Sequence, residues 1–537
     1  MPPDRATEVR LAVYALMEAA QTADHDDVRP RLVALENQAR EHGWPDVALL
    51  AALGQALHDV VRSPDRAAVA RTLEAAVRRS ERVAAPALQA VALGLRAVTE
   101  AGEDDSEAAL ADVGRAIALV DDTSGLPVDR ATALVICGAA CNALSMWELA
   151  DELYVEAGEL EAGSELPVQG AAVAVNRVLV RLEQASELLE VGDAPGAGVR
   201  LRLAHRAASD ARTTPGLPVL WQREVLAAHA LLAFVIPALD EADGKNSRET
   251  DTRLAEVMRH RERLADDGDV ELLPLLDSLV ALALFRMGRI VEARVAAERL
   301  TQPGSTSSGA RSFPAWVRSV VFAGGDSSVG TRALRQYADL LIRSRYAARQ
   351  GMLAAARSRI AGERLSLEHA RLSRDVLLDP LTGVANRRLF DQWLGAVPGR
   401  PQVSGLVLVD LDDFKAVNDE LGHAAGDEVL RRVGALLTEH VRPGDLALRL
   451  GGDEFAVLLH DGGVDPEAFE GAVRQRAADL QQAIATTRWD DLAGSLDVRV
   501  SVGVAVGVLG RDQPDTADQV YRAADADLYA SKARSAP

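Results

Sequence analysis

At 537 residues the chain is too long for one core, and with 48% hydrophobic but only 4% aromatic residues its interiors must be filled by Ala, Leu and Val, which favours closely packed helices. Its 80 acidic against 59 basic residues give a formal net charge of -21, which disfavours sequence-independent binding to nucleic acid or to an anionic membrane surface. Two cysteines exclude a disulfide framework; Cys137 and Cys141, in one apolar helical stretch, read as small buried hydrophobes of a reduced compartment. Met1-Pro2-Pro3-Asp4 opens no signal peptide. The longest apolar stretch, around Leu226 to Leu239, contains His229 and Pro237 and falls short of the roughly 20 residues a bilayer needs. No membrane span and a cytoplasmic location are expected.

From about Val9 to about Val321 apolar residues recur at intervals of three and four, with polar punctuation such as Gly102-Glu103-Asp104-Asp105, Gly192-Asp193-Ala194-Pro195 and Asp266-Asp267-Gly268. Nothing there reads as a strand. The run Leu284 to Ala293 (LFRMGRIVEA) resembles the tetratricopeptide repeat, in which Gly288 permits a tight helix-to-helix turn and the small Ala293 lets the next helix approach. A weaker echo runs from Ala143 to Leu153. The repeat's period of roughly 34 residues is not sustained, so the expectation is an all-α, repeat-like array over residues 1–330, with an irregular bundle as the alternative. Such an array would present a concave surface for a protein or peptide partner and would serve sensing or docking.

Gln302 to Gly309 reads as a flexible stretch and Gly324-Gly325-Asp326 as a break. A linker helix without proline follows, spanning 331–378. Tyr346, Leu353, Ile360 and Leu367 fall seven apart, with Ala356, Ala370 and Leu377 three later in the same register. That spacing predicts a two-stranded coiled-coil seam, interrupted in its second row by Arg349 and Glu363. A single amphipathic helix packed on its own domain is the alternative.

Over residues 379–537 the period turns mixed. Gly405 to Val409, Phe455 to Leu459 and Val498 to Ala505 read as strands; Glu428 to His440, Pro466 to Thr487 and Ala517 to Lys532 read as helices, giving one compact α/β domain. An apolar strand has no packing reason to end in acids, yet Val409 leads into Asp410-Leu411-Asp412-Asp413-Phe414-Lys415. Carboxylates at the rim of a rigid sheet suit Mg2+, which is commonly held by one or two carboxylates and the phosphates of a substrate. Leu450-Gly451-Gly452-Asp453-Glu454-Phe455 sits between two strand-like segments and reads as a hairpin turn whose glycines give a phosphate room and whose tip carries a second carboxylate. Taken alone, Gly-Gly-Asp is only a turn.

It does not stand alone. The pentad Gly451 to Phe455 resembles the signature of the GGDEF family of diguanylate cyclases, and further family motifs surround it in order: Asp379-Pro380-Leu381-Thr382-Gly383 upstream, Asp410 to Lys415 with Asn418-Asp419 and Gly422 to Asp427 between, and Ser501 to Ala505 and Ala524 to Lys532 downstream. The likeness covers about residues 377 to 533. It implies a ferredoxin-like palm and the condensation of two GTP molecules into cyclic di-GMP with release of pyrophosphate. By this resemblance Asp410, Asp453 and the carbonyl of Leu411 hold Mg2+, with Mn2+ as a substitute. Asn418 and Asp427 read guanine, and Phe414, Gly451 and Gly452 border the substrate. Lys415 and Lys532 face the triphosphate, with Asp453 also assisting proton removal.

Because each domain would hold one GTP, the resemblance implies a homodimer, and the linker helix could join the two copies under control of the helical array. Arg442 and Asp445 have the spacing of the family's inhibitory site for cyclic di-GMP, from which product inhibition is expected. The chain departs from the family where a Gly-Arg-Asn tail often continues; here Ala533-Arg534-Ser535 follows, with Arg534 out of register. The rival expectation is a non-catalytic cyclic di-GMP receptor or scaffold signalling through the helical domain.

Overall fold

A computed structural model describes the chain apart from residues 1–4, 23–26, 64, 103–105, 122–125, 163–169, 215–216, 241–247, 267–271, 302–311, 324–327, 397–401, 443, 462–465, 490–495, 511–514 and 536–537. The punctuating segments at 103–105 and 267–268, the stretch 302–309 and the break at 324–326 therefore lie outside the described residues. The chain divides into two compact units, Met1–Leu367 and Glu368–Pro537.

The first unit is helical throughout its described residues, as the spacing predicts. Its helices are α1 (Arg5–Thr22), α2 (Val28–Glu41), α3 (Pro45–Arg62), α4 (Arg66–Val83), α5 (Pro86–Gly102), α6 (Ser106–Val120), α7 (Pro127–Ala143) and α8 (Trp147–Ala162). There follow α9 (Gly170–Val191), α10 (Ala194–Ala211), α11 (Val219–Asp240), α12 (Arg248–Ala265), α13 (Leu272–Arg286), α14 (Ile290–Glu298) and α15 (Ser312–Ala323). Most consecutive helices pack on one another, which makes an array of neighbours. One turn recurs at four of its joints. Gly43, Ser145, Gly192 and Gly288 take positive φ, and the next residue donates its N–H five residues back: Trp44 to Ala39, Met146 to Cys141, Asp193 to Leu188 and Arg289 to Leu284. This is the Schellman closure, which satisfies carbonyls that a helix end would leave orphaned. Both tetratricopeptide echoes fall on such joints, with Ala293 fully buried behind the second.

Ala, Leu and Val dominate the interior, in two large clusters, one from Val13 to Val225 together with Leu353, Ala356 and Ile360, the other from Val178 to Val321, and a small third of Val9, Ala39, Val47 and Ala48. Cys137 and Cys141 are free and buried in the first, where burial pushes the Cys137 thiol up to about 12, beyond reactivity at neutral pH. Helix α11 is long and apolar enough to cross a bilayer by composition alone, yet 56% of that stretch is buried, with Leu231, Leu232 and Val235 in the second cluster.

The long helix α16 runs from Val329 to Leu377, as the proline-free pattern predicts. The seam marked by the heptads is covered by the helix's own chain only in part: Leu353, Ala356 and Ile360 are buried in the first cluster of the array, whereas Leu367, 37% exposed, and Ala370 are not covered. The interruption at Arg349 explains the covered part. Its guanidinium is buried, pairs with Glu148 of α8 at 2.6 Å and Glu187 of α9 at 2.5 Å, and lies 4.8 Å above the Trp147 ring. Arg345 to Glu190, Arg357 to Glu152 at 2.5 Å and Arg364 to Asp121 at 2.6 Å extend the row. Leu334, Tyr337, Leu340 and Leu341 of the same helix are exposed, as is Leu365.

The second unit is built on a five-stranded sheet: β1 (Ala385–Asn386), β2 (Gln402–Leu411), β3 (Leu446–Gly451), β4 (Glu454–Asp461) and β5 (Val500–Leu509), in the order β1-β3-β4-β2-β5. β1 runs parallel to β3; every other pairing is antiparallel. Strand β2 lies inside, and its continuous apolar run follows from burial on both faces. Val407, Val409 and Leu411 face α19 (His423–Glu439) and α20 (Pro466–Thr486); Leu406 and Leu408 face α17 (Arg387–Gly395) and α21 (Ala517–Ser535). Helix α18 (Phe414–Leu421) follows directly on β2. Gly503 lets α21 sit against edge strand β5, since a Cβ there would collide with the Ala524 carbonyl and Leu528 backbone.

Candidate active site

The acids at the end of β2 meet the hairpin turn between β3 and β4. Strand pairing sets Asp410 opposite Glu454, and the Leu411 N–H donates to the Asp453 carbonyl at 3.3 Å, so Asp410 and Asp453 come from adjacent strand ends. Gly451 and Gly452, at φ +152 and +56, make the turn between them. Arg449 secures it: its guanidinium donates to the Gly452 carbonyl at 2.7 and 3.0 Å and to Asp379 at 3.0 Å. Asp379 also accepts from the N–H and hydroxyl of Thr382, and these partners hold its carboxyl below the usual range against the effect of burial. The Asp-Pro-Leu-Thr motif thus works as a brace for the glycine turn. Sequence reading missed Arg449; its signal was an arginine two residues before the Gly-Gly pair, inside a strand.

The electrostatics at this edge are unbalanced. Asp410 is 8% exposed, and the Lys532 ammonium contacts its carboxylate at 2.7 Å. Burial pushes the Asp410 carboxyl up, Lys532 pulls it down, and the charges of Asp453 and Asp412 push it up again, so that it ends above the usual range. Lys532 is held above its ordinary value despite partial burial, because Asp410, Asp453 and Glu454 all favour its charge. One lysine therefore serves three carboxylates. Among the described residues no group of three or more His, Cys, Asp or Glu side chains is arranged as a complete metal cage. Two carboxylates at neighbouring strand ends are hard oxygen donors of the kind that suits Mg2+, which commonly takes one or two carboxylates together with water and phosphate, and the Lys532 ammonium stands beside one of them.

The remaining residues lie around this edge and along α18 and α19. Asp412 accepts from the Ser501 hydroxyl at 2.7 Å, and Asp413, at φ +54, turns the chain into α18, which carries exposed Lys415 and half-buried Phe414 and Asn418. Asp427 opens the first turns of α19. Gly426 explains why these two helices meet closely, since a Cβ there would collide with the Asn418 side-chain oxygen. Arg442 and Asp445 come together elsewhere, at 3.3 Å, with Arg442 donating to the His460 carbonyl and Asp445 accepting the His460 N–H. His460 lies six residues along β4 from Glu454, roughly 20 Å at strand rise, so this pair lies apart from the acids at the sheet edge.

Residues 376–536 match the family described as "Diguanylate cyclase, GGDEF domain". This segment belongs to the GGDEF family. The diguanylate cyclase VdcA of Vibrio cholerae is 31% identical over 169 residues, 32% of this chain and 48% of the relative. The diguanylate cyclase DgcS of Shewanella oneidensis is 29% identical over 172 residues, 31% of this chain and 53% of the relative. This chain thus spans about half the length of these curated relatives. Among solved structures, the coiled coil and GGDEF domain of DgcB from Caulobacter crescentus with c-di-GMP is 28% identical, covering 34% of this chain and 93% of that one at a TM-score of 0.27. The match lies in the second unit, and the helical array falls outside the matched GGDEF domain.

Proposed function

We propose that the chain is a cytoplasmic diguanylate cyclase that joins two GTP molecules into cyclic di-GMP and pyrophosphate, acts as a homodimer and is regulated by its helical array. The observation carrying this reading is the convergence of Asp410 and Asp453 at one sheet edge, with their repulsion only partly offset by Lys532. Asp410, Asp453 and the Leu411 carbonyl would hold Mg2+ or Mn2+, which supplies charge neutralisation at the phosphoryl oxygens and eases deprotonation of the attacking 3'-hydroxyl.

The chain's own groups do the positioning. Asn418 and Asp427 would read the donor and acceptor edge of guanine, a pairing that discriminates against adenine because the wrong base leaves buried polar groups unpaired. Lys415 and Lys532 would neutralise the triphosphate, Phe414 would border the substrate, and the Gly451-Gly452 turn would let phosphate approach the backbone. Asp453 would also receive the hydroxyl proton. Among the described residues, Lys532 is the cation of α21 that contacts Asp410 at this edge.

Each site holds half of the product, so two copies are required. The packed face of α16 supports a regulated form of that pairing: Leu353, Ala356 and Ile360 must leave the array before they can meet a second copy. A protein or peptide partner on the array would bias this equilibrium.

Incubation of the purified chain with GTP and Mg2+ should yield cyclic di-GMP, and Asp453→Ala should yield none above background; equal product from both would reject the assignment. Arg442 and Asp445 would bind product and restrain the enzyme. Arg442→Ala should raise the concentration of cyclic di-GMP needed for half-inhibition by about tenfold, the worth of one charge-assisted contact, with turnover retained. A chain that binds cyclic di-GMP and never makes it would instead be the receptor.

A further inference from the structure

We infer that a cavity between α9, α10 and α16 is a binding site for a small organic anion that carries a carboxamide-like edge. The cavity measures about 400 Å³, and Gln184, Glu187, Leu188, Arg200, Tyr346 and Arg349 are among its walls. That volume falls in the range of small-molecule sites.

The decisive residue is Gln184. It is 3% exposed, and neither its amide nitrogen nor its amide oxygen has a hydrogen-bond partner among the described residues. A carboxamide buried with both functions unmet costs about 1–3 kcal/mol for each, so a side chain of this polarity has no structural reason to be there. What would satisfy it is an acceptor beside a donor, the edge of an amide, lactam or pyrimidinedione.

The charge of the ligand follows from what the other walls have already spent. Glu148 and Glu187 are engaged by Arg349, and Asp193 caps α10 by accepting the Gly196 N–H at 2.9 Å. Arg200, half-buried, is thus the charged wall residue left without a hydrogen bond or ion pair among the described residues, and it offers positive charge at its own end of the cavity. Leu188, Val199 and the Tyr346 ring supply apolar surface for a flat molecule.

Tyr346 and Arg349 belong to α16, so the occupant touches the helix where it is fastened to the array. The site stands independently of the cyclase reading; its effect on turnover would rest on that reading, so it is tested by binding alone, without GTP.

The test is calorimetric titration of the full chain with orotate, which carries both the edge and the charge, beside uracil, with the edge only, and benzoate, with the charge only. Saturable binding of orotate at least tenfold tighter than either control is expected. Gln184→Met and Arg200→Ala should each weaken it at least tenfold. Gln184→Met should also raise the melting temperature of the ligand-free chain, the mark of a residue kept for binding at a cost in stability. Failure of orotate to bind, equal binding by the variants, or an unchanged melting temperature in Gln184→Met would each overturn the proposal.

Discussion

Carboxylates are handled in opposite ways by the two units. In the helical array most buried acids sit against an arginine: Asp129 against Arg10 at 2.6 Å, Asp112 against Arg96 at 2.5 Å, Asp277 against Arg261 at 2.8 Å, Glu190 against Arg345, and Glu187 against Arg349, which it shares with Glu148. At the sheet edge of the GGDEF domain, the charges of Asp453 and Asp412 push against that of Asp410, and the Lys532 ammonium contacts only Asp410 among the described residues, at 2.7 Å. A planar guanidinium that forks onto a carboxylate closes the account locally and locks two helices together. A cluster left short of positive charge destabilises the empty protein and is kept because something else completes it. Acids in the array therefore report on architecture, and acids at the edge report on chemistry.

The contrast is sharpened most by Asp453→Ala. It should lower cyclic di-GMP formation by at least about 10³-fold, the loss of several kcal/mol of charge stabilisation, while the melting temperature holds steady. An equal loss of fold would make this acid structural, like those of the array. Arg349→Ala should do the reverse. Leaving Glu148 and Glu187 without their cation should cost about 3–5 kcal/mol, read as a lower denaturation midpoint in the helical signal of the full chain. A negligible change would show that the clasp on α16 is loose.

Gly426→Ala lies between these extremes. Alanine suits a helix better than glycine by about 1 kcal/mol, and the atom it would strike is the mobile end of Asn418, so stability should hold or rise. The displaced amide should raise KM for GTP by about tenfold with kcat less affected, in steady-state kinetics. The smallest effect belongs to Asp410→Asn without metal. Because this acid's folded pKa lies above its unfolded value, its charge costs stability once pH rises above the unfolded value, and the full cost is present above the folded one. The variant should melt slightly higher than the parent near neutral pH, and the gap should close as pH falls through the acid range.

What could be read beforehand follows the same division. β2 was visible because burial on both faces writes an unbroken apolar run, and its terminal acids stood out against that run. The short elements β1, α17 and α18 were not foreseen, since a few residues hold too little periodicity to be recognised. β3 was seen only as a strand-like segment beside the glycines, its pattern broken by Arg449. In the array the helices were legible, as were the turns at Gly192 and Gly288, but not those at Ser145 and Ala84, which adopt the left-handed conformation usually marked by glycine. The heptads of α16 gave the correct apolar face and left its partner undetermined, because Leu353 and Ile360 pack equally well on another copy or on their own domain. Arg349 was the clue, a charge placed in the seam for two acids more than 160 residues earlier.

Lys532 is tethered. Gly503 brings α21 flush against the sheet, and the helix carries its ammonium to Asp410 before any substrate arrives. A cation built into the chain offsets part of the repulsion at this edge by itself, so the fold of the edge does not wait on anything that binds there.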